Sequence, residues 1–298
     1  MIRYVGYACI NESLKPLRMR TCRLKTIEEK GIGYLKELIL HNLHVLQIIL
    51  EWNEGHQIKF FRVSSDIMPL ITHPHVIGYG WDWQKDEEVL ALISAIRSFV
   101  QDHGHRLSMH PDQYTVLNSL KMEVVERSIV DLKYQSSLLK MLGGQDMIIH
   151  VGGVYGDKPA AMERFVGVYK TLPPGIKAFL RLENDDKSYT IHDVIKIYKT
   201  TGCPLVFDYH HHRCHQAGPL TQEDIQLIVN SWQKAIPKVH LSSGRDHDED
   251  RRHNDWIKLH DYKGLDRLFQ GYEIDIMLEC KQKEKALLKL QEELYDSL

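Results

Sequence analysis

The amino-acid sequence predicts a single (β/α)8 barrel, or TIM barrel, from its length and from two kinds of apolar pattern that alternate along it. The chain has 298 residues, which is about the length of one such barrel. Short apolar runs typical of buried strands alternate with segments whose apolar residues recur every three to four positions, as on one face of a helix. Repeated strand–helix units of this kind indicate a parallel sheet, and eight of them favour its closure into a barrel.

The predicted strands are short and are bounded by helical segments rather than by hairpin turns. In chain order they are Ile2–Tyr7, Ile58–Val63, Arg106–His110, Met147–Val151, Phe179–Glu183, Leu205–Asp208, Lys238–Leu241 and Glu273–Glu279. No G-x-G-x-x-G motif follows the first strand, which argues against an open sheet that binds a dinucleotide.

The predicted helices fill the segments between these strands. The first three have apolar faces formed by Leu35, Ile39, Leu43, Leu46 and Leu50, by Val89, Ile93, Ile96 and Val100, and by Val125, Ile129, Leu132 and Leu139. Glycines typical of helix C-caps follow two of them, at Gly104 and at Gly143 and Gly144. Later helices are predicted at Ala160–Tyr169, Ile191–Tyr198, Gln222–Ala235, Leu265–Phe269 and Lys283–Tyr295. We expect one domain over residues 1–298, with 281–298 as the last barrel helix or a C-terminal extension.

Composition excludes several classes of protein. The formal net charge is -2, so a surface that binds nucleic acid must be a local patch. The five cysteines are scattered and never spaced as C-x-x-C, which favours a reducing compartment without disulfides or a thiolate zinc site. There is no apolar run of membrane-spanning length and no apolar segment typical of a signal peptide at the start. We expect a cytoplasmic monomer without a membrane span.

Ionisable residues stand at the carboxyl ends of most predicted strands, where the active face of such a barrel lies. The first strand ends in Tyr7, and the later strands carry His110, His150, Glu183, Asp208, His240 and Glu279 at or near their ends, with Lys238 on the same face as His240. Imidazoles and carboxylates at the mouth of an apolar barrel are costly to bury unless they are paired or bind metal.

These strand-end histidines and carboxylates predict a site for divalent metal ions. One such residue alone is more often a hydrogen-bonded core or loop residue, but recurrence on successive strand ends favours a metal site. Nitrogen and oxygen ligands suit Zn²⁺, Mn²⁺ or Fe²⁺. The set exceeds the needs of one ion, and two ions that share a carboxylate, about 3.5–4 Å apart, suit an in-line displacement at phosphorus.

Three further histidines fit a larger site. His73 follows the second strand, His253 lies beyond the acidic stretch Asp246 to Asp250, and His211 is the middle member of three consecutive histidines after Asp208. In an extended chain, alternation would place the two outer histidines, and not His211, on the face of Asp208. A loop at this point would remove that objection, so the choice among the three stays open.

Eight segments carry the most distinctive residue combinations: V-G-Y-A-C-I-N, R-V-S-S-D-I-M-P-L-I-T-H-P, L-S-M-H-P-D-Q-Y, I-I-H-V-G-G, L-E-N-D-D, F-D-Y-H-H-H, K-V-H-L-S-S and I-D-I-M-L-E-C-K. In this order, from about Tyr4 to Lys281, they resemble the ultraviolet damage endonuclease family. The resemblance implies a TIM barrel related to endonuclease IV, with two to three divalent metal ions, usually Mn²⁺, although Zn²⁺ and Mg²⁺ also suit the ligands. It further implies a nick in double-stranded DNA directly 5′ of ultraviolet photoproducts, leaving a 3′ hydroxyl and a 5′ phosphate. We expect such an enzyme to be associated with the nucleoid through its binding to DNA.

The resemblance also implies a role for individual residues. The implied metal ligands are His110, His150, Glu183, Asp208, His211, His240, His253 and Glu279. Glu183 resembles the bridging carboxylate of the family. The other implied active-site residues are His73, Lys238, which matches a lysine that can be carboxylated, and Tyr7 and Asn11, which would line the site near the phosphate. Gln113 and Tyr114 match a pair that is pushed into the duplex at the lesion.

Other interpretations stay open at this point. Arg251 and Arg252 are candidate phosphate contacts, although a solvated charge run has the same composition. An abasic-site endonuclease would share the barrel and the chemistry, and only its substrate would differ. A metal-dependent sugar isomerase or epimerase usually needs fewer ligands and a compact pocket. A metal-binding protein without catalysis would bind ions and turn over no phosphodiester.

Overall fold

The computed structural model describes residues 1–215 and 218–296, and a closed barrel of parallel strands lies at its centre. Neighbours in the barrel are neighbours in the chain, and β1 pairs with β8 to close it. The strands are β1 Ile2–Ala8, β2 Phe60–Val63, β3 Arg106–Met109, β4 Asp146–His150, β5 Leu180–Glu183, β6 Leu205–Asp208, β7 Lys238–Leu241 and β8 Ile274–Leu278. The predicted (β/α)8 barrel is confirmed.

Most strand bounds differ from the prediction by one or two residues, and β6 and β7 match it. The largest shift is in β2, because Ile58 is not in the sheet: its backbone N–H donates to the carbonyl oxygen of Asn53, at the end of the preceding helix. At β1 the strand runs one residue further than predicted, to Ala8. That single residue matters for the site, since successive side chains of a strand point to opposite faces.

Helices connect the strands and cover the outside of the barrel. They are α1 Leu24–Gly55, α2 Pro74–Ile77, α3 Glu87–Asp102, α4 Met122–Met141, α5 Lys158–Thr171, α6 Pro174–Lys177, α7 Ile191–Thr201, α8 Tyr209–Cys214, α9 Gln222–Ser231, α10 Leu259–Leu268 and α11 Lys283–Tyr295. The one-turn helices α2 and α6 and the six-residue helix α8 were not predicted, because so short a segment has no helical period to detect. α10 begins six residues before the predicted position, and α9 ends four residues early.

The first helix contains an irregular residue, and the last helix packs against the barrel. In α1 the backbone is non-helical at Gly31, with φ 78° and ψ 178°, a conformation that favours glycine. In α11, Ala286, Leu287 and Leu290 are buried against the barrel, whereas the last two residues of the predicted segment 281–298 lie outside the described residues. Among residues 1–215 and 218–296, no helix has the length and apolar composition needed to cross a membrane.

Alternation along the strands divides their side chains between two environments. Outward-facing side chains pack against the helices in one large core. Inward-facing ones contribute to two small apolar clusters within the barrel: one consists of Ala8, Phe60 and Met277, and in the other Ile148 and Val206 pack with Trp232, the residue after α9. The amino-terminal end of the barrel is filled by buried ions: Arg106 contacts Asp146 at 2.8 Å and Asp275 at 2.6 Å. The candidate site lies at the carboxyl-terminal end of the barrel.

Candidate metal centre

The carboxylate of Glu183, at the end of β5, is the meeting point of four histidines, three at or near the carboxyl ends of β3, β4 and β7 and one in α8, just after β6. Its Oε2 lies 3.1 Å from His110 Nε2 and 3.5 Å from His150 Nε2. Its Oε1 lies 2.6 Å from His240 Nδ1 and 3.9 Å from His211 Nδ1. Glu183 is 1% exposed, so these contacts take place largely out of solvent. The barrel therefore brings together side chains that are far apart in the sequence.

Three groups of side chains around this carboxylate could each hold a metal ion. They are His110, His150 and Glu183; Glu183, His240 and Glu279; and Glu183, Asp208 and His211. Within each group the candidate ligand atoms lie within 4.8 Å of one another. Glu183 is the member common to all three, which is the geometry that a bridging carboxylate requires.

Unsatisfied polar atoms provide a separate test of whether cations fit. Asp208 Oδ2 is buried, forms no hydrogen bond among the described residues and lies 3.8 Å from His211 Nδ1, within one of the candidate groups. The unsatisfied nitrogens of His240 and His150 are instead the ones on the far side of each ring from Glu183. A buried polar group without a partner costs on the order of 1–3 kcal/mol, and more when it is charged. Cations close to these ligand groups would offset part of that cost, so the donor set fits divalent metal ions.

The two glutamates of the site stay ionised despite their burial. Burial alone would raise the pKa of Glu183, but the adjacent imidazoles of His240 and His150 lower it well below its usual range. Burial would likewise raise the pKa of Glu279, and the Arg62 guanidinium and His240 lower it well below its usual range. Both side chains are therefore carboxylates at neutral pH, the form that binds metal.

The position of His211 depends on a local helix that the sequence did not reveal. Asp208 ends β6 and caps α8, and its Oδ1 accepts a hydrogen bond of 2.7 Å from the His211 backbone N–H. The helical turn brings the His211 ring back to within 3.8 Å of Asp208 Oδ2. His210 instead points into the protein, where its Nε2 donates to the Asp250 carbonyl oxygen at 3.0 Å. Of the three consecutive histidines, only His211 belongs to a candidate metal group.

His253 lies beside the three groups without belonging to them. Its Nδ1 is 2.6 Å from the Glu279 carbonyl oxygen, and its ring centre is 6.1 Å from that of His211. Because a carbonyl oxygen only accepts, Nδ1 carries the proton and Nε2 is left with a lone pair. The structure thus places His253 at the edge of the site in a tautomer that suits a ligand.

Two predicted active-site residues are not on the inner face of the barrel. Tyr7 is followed by the inward-facing Ala8, so its ring points outward and packs against α1. Its hydroxyl donates to Asn53 Oδ1 at 2.7 Å and accepts from Asn11 Nδ2 at 2.8 Å. Tyr7 and Asn11 are both buried. They hold the start of the loop after β1 and do not contact the Glu183 carboxylate.

Lys238 and His73 are also outside the three groups. Lys238 faces the barrel interior on the same side of β7 as His240, but it lies deeper: its Nζ donates to Ser108 Oγ at 2.9 Å and is 3.3 Å from Asp146 Oδ1. Burial lowers the pKa of Lys238 to about 8. His73 caps α2, and its Nδ1 accepts a hydrogen bond of 3.2 Å from the His75 backbone N–H.

The predicted lesion-contacting pair stands on an anchored loop between β3 and α4. Gln113 and Tyr114 are exposed, Tyr114 by 76%. Beneath them, Asp112 accepts from the Tyr114 backbone N–H at 2.8 Å, and the Thr115 hydroxyl donates to the Asp131 carboxylate at 2.9 Å. An exposed aromatic ring on a fixed backbone is suited to stacking on a base.

The two arginines predicted to contact phosphate already have acidic partners. Arg252 Nη2 lies 2.8 Å from Asp250 Oδ2, and Arg251 Nε lies 3.5 Å from Asp186 Oδ2. Both arginines are exposed. Asp250, in the acidic stretch, and Asp186, in the loop after β5, therefore neutralise these cations in part.

Two residues that support the site were missed. Arg62, at the inward-facing position two after Phe60, pairs with Glu279; its signal was the period of two along β2. The Asn184 side chain exchanges two hydrogen bonds with the backbone of Asp208, of 3.0 and 2.9 Å, and the Asn184 carbonyl oxygen accepts from His211 Nδ1 at 3.0 Å. No sequence period marks Asn184, because it follows the strand.

Known proteins with similar sequences cover almost the whole chain. A "UV DNA damage endonuclease" of Bacillus mycoides (strain KBAB4) is 37% identical and aligns with 96% of this chain and 92% of its own length. A second protein of that name, from Bacillus cereus (strain G9842), is 37% identical over 98% of this chain and 93% of its own.

Solved structures show the same relationship in three dimensions. The crystal structure of SacUVDE superposes with a TM-score of 0.88 at 32% identity, covering 98% of both chains. Endonuclease IV from Thermus thermophilus superposes with a TM-score of 0.60 at 14% identity over 99% of both chains, which shows a shared fold. The model of one family, described as UV-endonuclease UvdE, matches residues 3–297. With its barrel and its full-length relatives in agreement, this chain belongs to the UV-endonuclease UvdE family.

Proposed function

We propose that this chain is a metal-dependent DNA repair endonuclease that nicks duplex DNA directly 5′ of ultraviolet photoproducts and leaves a 3′ hydroxyl and a 5′ phosphate. Family membership supports the coarser part of this statement, an endonuclease that acts on ultraviolet-damaged DNA. The observation that supports metal-dependent cleavage is the Glu183 carboxylate, which is common to three groups of potential ligands. A shared carboxylate can hold ions side by side at a scissile phosphate.

The residues that would hold two to three divalent ions, with Mn²⁺ as the proposed ion, are the members of the three groups together with His253. When bound, such ions would supply a hydroxide nucleophile at neutral pH and would neutralise charge at phosphorus. Arg62 orients Glu279 through their ion pair. Asn184 holds Asp208 and His211 in place. These contacts fix the ligands before any ion or substrate is bound, which keeps the cost of assembling the site low.

Recognition of damage is proposed to involve Gln113 and Tyr114. A photodimer stacks poorly, so unstacking it costs less than the few kcal/mol needed for intact bases. The exposed Tyr114 ring could stack in the gap, and the Gln113 amide could bond with base edges that have lost their partners. Roles for His73, Lys238, Arg251 and Arg252 in contacting substrate stay predictions, as do carboxylation of Lys238 and a monomeric state.

The decisive experiment uses a duplex with one defined cyclobutane dimer, labelled at the 5′ end of the damaged strand. Purified protein should produce a single cut directly 5′ of the dimer in the presence of Mn²⁺, and no cut after treatment with a chelator. Cleavage of the same duplex in chelator would contradict the metal dependence. A matched duplex without the dimer should stay intact.

The same assay separates the alternatives. A duplex with one abasic site in place of the dimer should be cut by an abasic-site endonuclease. Cleavage of that duplex but not of the photodimer duplex would contradict our proposal and favour this alternative. Failure to cut any duplex, with isomerisation of a ketose in the presence of metal, would favour the sugar epimerase alternative. Bound metal without turnover of either substrate would leave a protein that only binds metal.

A further inference from the structure

The loop that joins β1 to α1 is strongly basic although the chain as a whole is slightly acidic. Between residues 9 and 23 there are four basic residues and one acidic residue, whereas the net charge of the chain is -2. The basic residues are Lys15, Arg18, Arg20 and Arg23. A local excess of this kind is the form that a polyanion-binding surface must take in a chain without overall positive charge.

The loop has an apolar side and a charged side. Leu17 and Met19 pack against the hydrophobic core. Arg18, Arg20 and Arg23 are exposed. The apolar side fixes the loop to the protein, and all three arginines are exposed to solvent.

Two side chains of α1 hold the backbone of this loop. Asn42, which is 0% exposed, accepts from the Arg20 N–H at 2.8 Å and donates to the Arg20 carbonyl oxygen at 2.9 Å. The same amide donates to the Ile67 carbonyl oxygen in the loop after β2, at 3.1 Å. His41 Nε2 is 3.1 Å from the Arg18 carbonyl oxygen. The backbone beneath the guanidinium groups is therefore ordered in advance, which reduces the entropy lost on binding.

The three guanidinium groups have no acidic partner within residues 1–215 and 218–296. No ion pair involves Arg18, Arg20 or Arg23 there, in contrast to Arg252, which lies 2.8 Å from Asp250. A planar guanidinium without a carboxylate partner is suited to bidentate contact with phosphate. The unpaired loop arginines are thus better placed to bind phosphate than the paired arginines after β7.

The loop also stands at the end of the barrel that holds the candidate metal centre. It begins at the carboxyl end of β1, and Glu183 stands at the carboxyl end of β5. Both therefore lie at the same end of the barrel. Arg18 and Asn11 line one cleft together with Ser64 and Asp66, which follow β2. We propose that Arg18, Arg20 and Arg23 form a phosphate-binding strip that binds the sugar–phosphate backbone of duplex DNA beside the candidate metal centre. The choice of DNA as the polyanion rests on the proposed function.

The test measures binding of an undamaged duplex in chelator, so that no lesion and no cleavage is involved. The triple variant Arg18→Gln, Arg20→Gln and Arg23→Gln should bind at least about tenfold more weakly at 0.1 M salt. Its slope of log K against log salt concentration should be shallower by about 2–3, because each phosphate contact contributes about 0.9. Each single substitution should lower the slope by about 0.9 or less.

A matched control removes the same charge from the other end of the barrel. Lys140, Lys199 and Lys234 are exposed, and each stands at the end of a helix or just after it, before a strand begins. Their triple substitution to glutamine should leave the slope unchanged. Equal slopes of log K against log salt concentration for the two triple variants would contradict the proposed phosphate-binding strip. A strip variant that binds the duplex like the wild-type protein would contradict it as well. Thermal unfolding of each variant shows whether a loss of binding reflects a loss of fold.

This design separates failure of the strip from failure of the proposed function. If the wild-type protein does not cut a photodimer duplex but the strip variant still loses duplex affinity and slope, the strip stands and the lesion specificity falls. If the wild-type protein cuts at the dimer and the strip variant keeps its affinity and slope, the lesion specificity stands and the strip falls.

Discussion

Glu183 Oε1 and His240 Nδ1 lie 2.6 Å apart, although β6 separates the strands that carry them. Both side chains face the barrel interior, and both are almost completely buried. The other oxygen of the same carboxylate meets His110. One carboxylate thus joins the two sides of the barrel mouth, so its removal should disturb all three candidate metal groups, whereas removal of any other member should disturb one.

The substitution Glu183→Gln should abolish nicking and leave the fold intact. The amide has nearly the same shape, but it has no negative charge to share between cations. The loss should exceed the factor of about 10–100 that is typical when a residue supporting a ligand is removed. The measurements are cleavage of the photodimer duplex and metal content by elemental analysis.

Glu163→Gln is the matched control, because Glu163 is exposed on α5 outside the three groups. It should retain wild-type cleavage and metal content. Full activity in Glu183→Gln would exclude the bridging role, and unfolding of that variant would show up as a lost thermal transition before any cleavage assay is interpreted.

Metal binding should stabilise the folded protein. The ligands are brought together only in the barrel, so an ion binds the folded state in preference to the unfolded state. At an ion concentration about 100 times the dissociation constant the gain is about 2.7 kcal/mol. Differential scanning calorimetry of chelator-treated protein with added Mn²⁺ should show a higher midpoint, and Glu183→Gln should show a smaller rise. An unchanged midpoint at millimolar Mn²⁺ in the wild-type protein would contradict the candidate site.

The barrel and most of the candidate ligands could be predicted because they depend on period and position alone. Strand ends in a parallel barrel meet at one rim, and inward-facing residues recur every second position. His110, His150 and Glu183 follow from these two rules. For an inward-facing residue at a strand end, these rules predict the location correctly even when the predicted strand bound differs from the observed one by one or two residues.

Other parts of the site depend on local geometry that the rules do not contain. Ala8, the last residue of β1, faces the barrel interior, and successive side chains of a strand point to opposite faces; Tyr7 therefore faces α1 and not the barrel interior. His211 reaches Asp208 through the turn of α8, whose few residues show no helical period. The contact of Arg251 with Asp186 and the hydrogen bonds of Asn42 join segments whose approach is set by tertiary packing.

The ion network at the other end of the barrel should make stability depend on pH in acid. Burial alone would raise the pKa of Asp146, but the Arg106 guanidinium and the Lys238 ammonium lower it to about 2, against about 3.9 in an unfolded chain. The folded state thus binds this proton less readily than the unfolded state. The stabilising contribution is complete above about pH 4 and is lost as the pH falls toward 2.

Asp146→Asn tests this dependence. At pH 7 the variant should unfold with a free energy lower by about 3 kcal/mol, because a buried guanidinium loses one of its partners. The difference from the wild-type protein should shrink as the pH falls from 5 to 3. Urea unfolding at a series of pH values measures it, and Asp102→Asn, at the exposed end of α3, is the control. A difference that stays constant over this range would contradict the assignment.

Tyr114→Ala should reduce selectivity for damaged duplex without altering the metal centre. The ring is 76% exposed, so its removal should change the free energy of unfolding by less than about 0.5 kcal/mol. Stacking of an aromatic side chain on a base contributes about 1–3 kcal/mol, which corresponds to a loss of about 5- to 150-fold in affinity for the lesion. Competition between labelled photodimer duplex and unlabelled intact duplex measures the ratio directly.

Tyr295→Ala is the matched control for this substitution. Tyr295 is 80% exposed at the end of α11, on a helix that does not contribute to any of the three metal groups. The control should keep both the competition ratio and the metal content. If Tyr114→Ala lowers affinity for intact and damaged duplex by the same factor, the ring contributes general contact and not recognition of the lesion.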